Sequence, residues 1–376
     1  MAVEIDRRRM LIRIGAAMVF SVGGPALFAK QWGVEGVVHY ILILAVARFL
    51  VAEITTRMVA HSPSSGILAY QYSPSLITIG GCLPILAPES EFALRLLPVM
   101  LGSYIATFWT LHHDISETKG LGTAEFQKTE VISSVVGTVL LIVASFLYSV
   151  EIAVAMGGII AFAGSMIRTG VLPEDMRSNL ALWNLQARSR NTSEIRNGTL
   201  IARSVAAIGF CALSSLRIHV FTDPVSILGG IVSLAAILVG AELVVWCFTN
   251  KVPYDSPYLK IGGFVMTFLG FALMTVEGLG FFGLGYFLVA LVSRSVNRTA
   301  DREFARAALR GVGLRPGLRE VTKFRMYLIL TPLLWMPNIL PICGMIAGVI
   351  LLRCDFTHPG SSDLKKKKTE VRLSAV

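Results

Sequence analysis

Long runs of apolar residues recur along the whole chain, and they constrain its fold more than any other feature. A helix needs about 20 mostly apolar residues to cross the hydrocarbon core of a bilayer. Cutting the sequence at that length predicts helices near residues 10–29, 36–56, 75–88, 94–111, 131–149, 152–168, 200–217, 224–248, 261–276, 278–294, 326–339 and 340–353. We therefore predict an all-α polytopic membrane protein with about twelve transmembrane helices.

Composition agrees with a membrane protein. Of 376 residues, 54% are hydrophobic and only 15% are charged, whereas soluble chains carry roughly 25% charged residues. No internal stretch is long and polar enough to form a soluble domain. The five cysteines are scattered and form no C-x-x-C pair, which supports neither a disulfide framework nor a zinc site. We therefore expect no metal and no cofactor.

The basic residues are distributed unevenly between the two sides of the predicted bundle. Nearly all Lys and Arg residues fall in or beside segments 1–9, 57–74, 112–130, 169–199, 249–260, 295–325 and the tail from 354. The opposite turns hold only Lys30, Arg95 and Arg217. Such an excess marks the cytoplasmic side, so both termini are predicted to be cytoplasmic. The net charge of +10 is thus explained by topology, and no nucleic-acid partner is expected.

Short similarities divide the chain into two related halves. The stretch at Leu11–Ala17 resembles Leu200–Ala207, and Leu44–Glu53 resembles Leu234–Glu242. Parallel repeats of this kind are a common plan of transporters. We predict an N-terminal six-helix half over 1–170, a cytoplasmic linker over 171–199, a C-terminal six-helix half over 200–356 and a basic cytoplasmic tail over 357–376.

The repeat also predicts two ion pairs at the inner face. Consecutive antiparallel helices place the start of one beside the end of the next, so Arg13 should lie at the depth of Glu53. By the repeat, Arg203 should lie at the depth of Glu242. Each pair would serve either as a structural clamp or as an inner gate that breaks during transport, and the sequence leaves both interpretations open.

The segment "AKQWGVEGVVHY" resembles the first outer turn of oligosaccharide flippases of the multidrug/oligosaccharidyl-lipid/polysaccharide superfamily. Ala29, Gly33, Glu35 and Tyr40 match the usual pattern, whereas Val38 stands where that family has a glycine. The segment "GLGTAEFQKTEVISSVVGTVLLIVASFLY" is also similar to the entry into the family's fifth helix. The resemblance covers about the first 170 residues, and the second half agrees mostly by topology.

This resemblance implies a V-shaped bundle around a central cavity. Such a protein is expected to flip an undecaprenyl-diphosphate-linked oligosaccharide across the bacterial inner membrane for polysaccharide biosynthesis. Its partners would be membrane lipid, the lipid-linked oligosaccharide and other polysaccharide-assembly proteins.

A diphosphate in a cavity of low dielectric constant needs cations, because a buried unpaired charge is costly. Arg48 is the cation placed deepest in a predicted helix, and ionisable groups inside a membrane are functional by default. We predict Arg48, with Lys30, Arg95 and Arg217 at the outer mouth, as substrate-binding cations. The alternatives are a snorkelling or paired Arg48 and ordinary surface charge at the other three.

Two other classes of function compete with the flippase. A major-facilitator-type transporter of a small solute also has twelve helices in two parallel halves. Its loop between the second and third helices usually carries Gly, Asp and paired Arg, a pattern that "RMVAHSPSSGILAYQYSP" lacks. An integral-membrane enzyme of glycan assembly would need a large outer loop, and no acid–base or nucleophile constellation is present. We therefore predict a transporter and no enzyme.

Overall fold

The computed structural model describes residues 2–119, 123–167, 193–222, 226–249, 257–309 and 317–354. Within these ranges all regular structure is helical and there is no strand, which confirms the all-α prediction. The α-helices are α1 Ala2–Ala16, α2 Gly24–His61, α3 Pro63–Tyr72, α4 Ser75–Leu86, α5 Glu91–Lys119, α6 Thr123–Leu147, α7 Val150–Met166, α8 Ser193–Thr222, α9 Ile227–Thr249, α10 Pro257–Leu273, α11 Leu279–Leu309, α12 Leu318–Leu330 and α13 Leu340–Leu351. A π-helical segment, Ala17–Gly23, joins α1 to α2, and 3₁₀ turns at Thr331–Trp335 and Pro337–Ile339 join α12 to α13.

The chain is a multi-pass membrane protein. Five helical segments of the described chain are long and apolar enough to cross a bilayer: Arg7–Val59, Glu91–Leu111, Ile195–Thr222, Ile227–Cys247 and Leu279–Asn297. Shorter apolar helices are Val131–Leu147, Val150–Met166, Lys260–Leu273 and Pro337–Leu351. The predicted number of twelve transmembrane helices is not confirmed by these segments.

A sharp bend divides that first segment. Trp32 (φ −133°, ψ 16°) and Gly33 (φ 61°, ψ −147°) leave the helical region inside α2. Glycine accepts a positive φ without steric cost, and no neighbouring atom lies within 4 Å of a Cβ built on Gly33. The bend coincides with the first turn predicted from the sequence.

At one end of the bundle, here called the basal end, the side chains of Arg8 and Gln71 join neighbouring helices by hydrogen bonds. The Arg8 guanidinium donates to the backbone oxygens of Tyr70 at 3.2 Å and Gln71 at 3.1 Å. The Gln71 side chain donates to the backbone oxygens of Ser165 at 2.8 Å and Ile167 at 3.2 Å. These bonds satisfy carbonyls at the ends of α3 and α7, which no longer have helical partners.

The opposite end, here called the distal end, contains the bend in α2. Lys30 Nζ lies 2.7 Å from Glu151 Oε1 at the start of α7. The Arg95 guanidinium at the start of α5 lies 5.5 Å from the centre of the Trp32 ring. Successive helices therefore run alternately between the two ends.

Glycines allow the N-terminal helices to approach closely. A Cβ on Gly15 of α1 would lie 2.3 Å from the backbone oxygen of Gly157 in α7. One on Gly81 of α4 would lie 2.9 Å from the backbone oxygen of Val154, also in α7. Small residues are the usual means of close helix packing in membranes.

Residues 2–167 are here called the N-terminal half and residues 193–354 the C-terminal half. The halves meet where α2 packs against α8 and α12, and where α6 packs against α9. Most of the predicted linker and the whole predicted tail lie outside the described residues. The two-half repeat itself stays a prediction.

Candidate functional site between the two halves

The halves touch at both ends of the bundle. At the distal end the rings of His39 and Trp335 meet edge to face, 5.5 Å apart at 77°. At the basal end Gly317 has a φ of 65°, and a Cβ built on it would lie 2.2 Å from Thr110 Cγ2 and 2.9 Å from Thr56 Cγ2. Only glycine allows this approach, so the junction is closely packed at its basal end.

Arg48 lies between these two contacts. On α2 it is nine residues from His39 and eight from Thr56, or about 13 and 12 Å at the rise of an α-helix. Its guanidinium carbon lies 4.6 Å from the centre of the Phe20 ring and 5.8 Å from that of Tyr327. Arg48 therefore bridges the π-helical segment and α12, at mid-depth as the sequence predicts.

Arg217 of α8 reaches the same π-helical segment from the C-terminal half. Its Nη2 donates to the backbone oxygens of Phe20 at 3.1 Å and Ser21 at 3.2 Å. The Tyr40 hydroxyl also donates to the Phe20 oxygen, at 3.1 Å. A π-helical turn interrupts the ordinary i→i+4 ladder and is frequent at functional sites. Here two of its carbonyls are bonded by the opposite half.

The position of Arg217 corrects the sequence prediction, which placed it in an outer turn. α8 continues to Thr222, and Arg217 is only 3% exposed. The residues that follow it include the buried Ile218 and Phe221, so the apolar helix extends past the arginine. The helix can carry this charge because the two carbonyls accept its hydrogen bonds, a contact that local hydropathy does not show.

The Phe20 ring lies beside both arginines. Its centroid is 4.6 Å from the Arg48 Cζ and 4.9 Å from the Arg217 Cζ, so the two carbons are no more than 9.5 Å apart. At an effective dielectric constant of 20, two such charges repel by about 1.7 kcal/mol or more. Contact with an aromatic ring offsets about 0.5–2 kcal/mol of the cost of each cation.

Neither arginine has an acidic partner among the described residues. Arg48 forms no hydrogen bond or ion pair there, and its Nε is buried without an acceptor. The carboxylate of Glu320 at the start of α12 is bonded instead to Lys323, at 3.2 Å, and lies 3.5 Å from Arg319. Among the described residues, the positive charges of Arg48 and Arg217 are therefore not balanced by an ion pair.

The Tyr327 ring, the second aromatic neighbour of Arg48, packs against two further aromatic rings. Phe210 of α8 stacks on Tyr327 at 5.5 Å and 26°, and Phe324 lies 6.0 Å from the same ring. These contacts restrict the Tyr327 ring. The junction thus presents a cation beside two aromatic rings, an arrangement suited to an amphipathic ligand.

Lys30 and Arg95 are far from this arrangement. Lys30 pairs with Glu151, with 53% and 26% of the two side chains exposed. Arg95 pairs with Glu91 at 3.2 Å, with 59% and 60% exposed. Both cations already have carboxylate partners at the distal end, and the structure does not bring them together with Arg48.

The two predicted ion pairs are not brought together either. Glu242 of α9 accepts a hydrogen bond from Arg294 of α11, whereas Arg203 is exposed. The ion pairs within the described ranges include none between Arg13 and Glu53. Sequence reasoning paired consecutive helices, and the rotation of each helix about its axis is not set by depth alone.

Arg13 instead lies over the Trp109 ring, 5.5 Å from its centre. It borders a cavity of about 10 Å³ near the basal end, which has room for about one water molecule. The cavity is lined by Arg9, Ile12, Arg13, Tyr104, Phe108, Trp109, Thr129 and Ser133.

No protein-family model matches the sequence, and no curated protein matches it. Among solved structures, the crystal structure of the nucleoside transporter NupG aligns with 94% of this chain and 98% of its own, with a TM-score of 0.62 and 13% identity. A structure of a single-substitution variant of NupG aligns with 93% and 97%, with a TM-score of 0.62 and 12% identity. This chain has the NupG fold. At such low identity the likeness extends to the fold alone, and it gives no support to the flippase superfamily.

Proposed function

We propose that this protein is a major-facilitator-type transporter that carries a small solute across the membrane. The solute is held at the junction of the halves by Arg48, Phe20 and Tyr327. The observation that carries this proposal is the position of Arg48, a cation without an ion pair among the described residues, at mid-depth between two contacts that join the halves. The likeness of the whole chain to the fold of a transporter supports it.

Transport follows from the two contacts that enclose Arg48. Separation of Gly317 from Thr56 and Thr110 opens the site to the basal side, and separation of His39 from Trp335 opens it to the distal side. If only one contact is open at a time, the solute crosses without a continuous pore. With the basic connections facing the cytoplasm, the basal side is the cytoplasmic side of a bacterial inner membrane.

A lipid-linked oligosaccharide would place its diphosphate at the same arginines. We favour a small solute because both ends of the junction are in contact around Arg48. NupG, a nucleoside transporter, has the same fold over nearly its whole length. The lipid-linked substrate therefore enters the test below as the competing outcome.

The test is transport by purified protein in liposomes. We expect uptake of a small solute from a panel of metabolites, reduced about tenfold or more by Arg48→Ala at equal protein content. Arg95→Ala is the matched control, because it removes an arginine that already has a carboxylate partner at the surface. Movement of a lipid-linked oligosaccharide without uptake of any small solute would replace this proposal by the flippase.

A further inference from the structure

The Arg48 guanidinium has hydrogen-bond donors without acceptors. A guanidinium carries five N–H groups in a planar fork and cannot lose its charge in a protein. The centres of the Phe20 and Tyr327 rings lie 4.6 and 5.8 Å from its carbon atom, but aromatic rings do not replace hydrogen-bond acceptors. Within the described residues nothing else fills that role.

Arg217 adds a second charge that no acidic side chain among the described residues neutralises. Its hydrogen bonds are made to the backbone oxygens of Phe20 and Ser21, which are uncharged acceptors. These bonds satisfy the hydrogen-bond donors of Arg217 but do not neutralise its positive charge. The residue is only 3% exposed to solvent. A neutral solute at this site would leave both cations uncompensated.

Glu320 offsets this charge only in part: it interacts electrostatically with Arg48, but no hydrogen bond or ion pair joins the two side chains. Its carboxylate lies 3.2 Å from Lys323 and 3.5 Å from Arg319, so its charge is already shared by two cations. An anionic ligand at the junction would supply the negative charge that Arg48 and Arg217 do not receive from an ion pair among the described residues.

We infer that the transported solute is a small organic anion, bound through a carboxylate or phosphate oxyanion at Arg48. An arginine fork matches two oxygens of such a group, and the Phe20 and Tyr327 rings contact an apolar body. This inference rests on the proposed function and names the substrate class of the same site. Arg217 acts as a positioning residue, because its bonds to the π-helical segment hold the Phe20 ring beside Arg48.

The first experiment measures thermal unfolding of the purified full chain with matched anionic and neutral probes at constant ionic strength. The pairs are benzoate with benzamide, glycerol 3-phosphate with glycerol, and a nucleoside 5′-monophosphate with its nucleoside. Inorganic phosphate and sulfate, compared with chloride, test the oxyanion alone. We expect only the oxyanions to raise the unfolding temperature, and the pairs separate carboxylate from phosphate as the preferred group.

Variants assign the effect to Arg48. Arg48→Met should raise the half-saturating oxyanion concentration about tenfold or more, because a charge-assisted hydrogen bond is lost. Arg48→Lys, which keeps the charge without the planar fork, should retain part of the affinity, and Arg95→Met should change nothing.

Without ligand, Arg48→Met should be at least as stable as the native protein, because an uncompensated charge has been removed. A purely structural arginine would give the opposite result.

Three outcomes would overturn the inference: neutral probes that stabilise as well as their anionic partners, no oxyanion effect on the native protein, or full oxyanion affinity in Arg48→Met. Failure of the proposed function looks different. Oxyanions would then bind in an Arg48-dependent way, but liposomes would take up no solute. Arg48-dependent uptake of neutral solutes alone would keep the transporter and reject the anion.

Discussion

The junction of the halves and the interior of the C-terminal half give a partly buried arginine different partners. Arg294 of α11 bonds to Glu242 of α9, two helices of the same half. Arg48 lies between the halves, beside the Phe20 and Tyr327 rings, and forms no ion pair within the described residues. A cation paired inside one half stabilises that half permanently. A cation left unpaired at the junction remains able to bind a ligand, at a cost in stability.

The largest effect is expected from Glu242→Gln. It removes the Glu242 carboxylate that accepts a hydrogen bond from Arg294, and breaking such a pair costs about 3–5 kcal/mol when fully buried. Because 35% of the Arg294 side chain and 25% of the Glu242 side chain are exposed, we expect about 2–3 kcal/mol, reduced by solvent access. Thermal unfolding of the purified variant measures this loss, and Arg48→Met is the contrasting control without loss.

The double variant Glu242→Gln, Arg294→Gln should recover part of that stability, because the Arg294 charge no longer faces an uncharged side chain at position 242. If Glu242→Gln proved as stable as the native protein, the two arginine environments would not differ in the way described above.

An intermediate effect is expected from Arg217→Met. It removes two hydrogen bonds from a charged donor, each worth about 1.5–3 kcal/mol, but also removes a charge with no acidic partner among the described residues. We expect a net loss of about 1–2 kcal/mol in unfolding free energy, with weaker oxyanion binding because Phe20 loses its support. A variant more stable than the native protein would place Arg217 with Arg48 as a ligand-binding cation, not a positioning one.

The smallest effect is expected from Arg95→Ala. Its pair with Glu91 joins two side chains that are 59% and 60% exposed, and such pairs contribute about 0.3–0.5 kcal/mol. Unfolding temperature and solute uptake should stay close to the native values, and added salt should remove what difference exists. A loss comparable with that of Glu242→Gln would show that exposure is a poor guide to the role of these cations.

Local sequence patterns predicted the helical class, the bend at Gly33 and the mid-depth position of Arg48. Each depends on hydropathy or backbone preference within one segment. Arg217 was misplaced because its helix was ended at the charge, although the apolar residues Ile218 and Phe221 continue it. An arginine inside an apolar run can be accommodated by carbonyls of another helix, and hydropathy contains no information about that helix.

The partners of Glu242 and Arg48 could not be predicted for a related reason. The packing of the whole bundle decides which helix faces which. The sequence therefore matched Glu242 with Arg203 by depth, whereas Glu242 pairs with Arg294 in the structure. The available signal for the Glu242–Arg294 pair was that each residue is a single charge in an apolar segment of the C-terminal half. The π-helical segment that presents Phe20 had no signal in the sequence pattern.

That π-helical segment makes the site depend on the number of residues in the chain as well as on their side chains. Residues 17–23 contain more residues per turn than the α-helices on either side, and Phe20 and its neighbour Ser21 offer their carbonyls to Arg217 from this wider turn. Deleting one residue here would restore ordinary helical spacing and rotate everything on one side of the deletion by about 100°. Phe20 would then leave the faces of both arginines although every side chain of the site was still present. Single-residue insertions and deletions in this turn are therefore as disruptive to the junction as substitution of the arginines themselves.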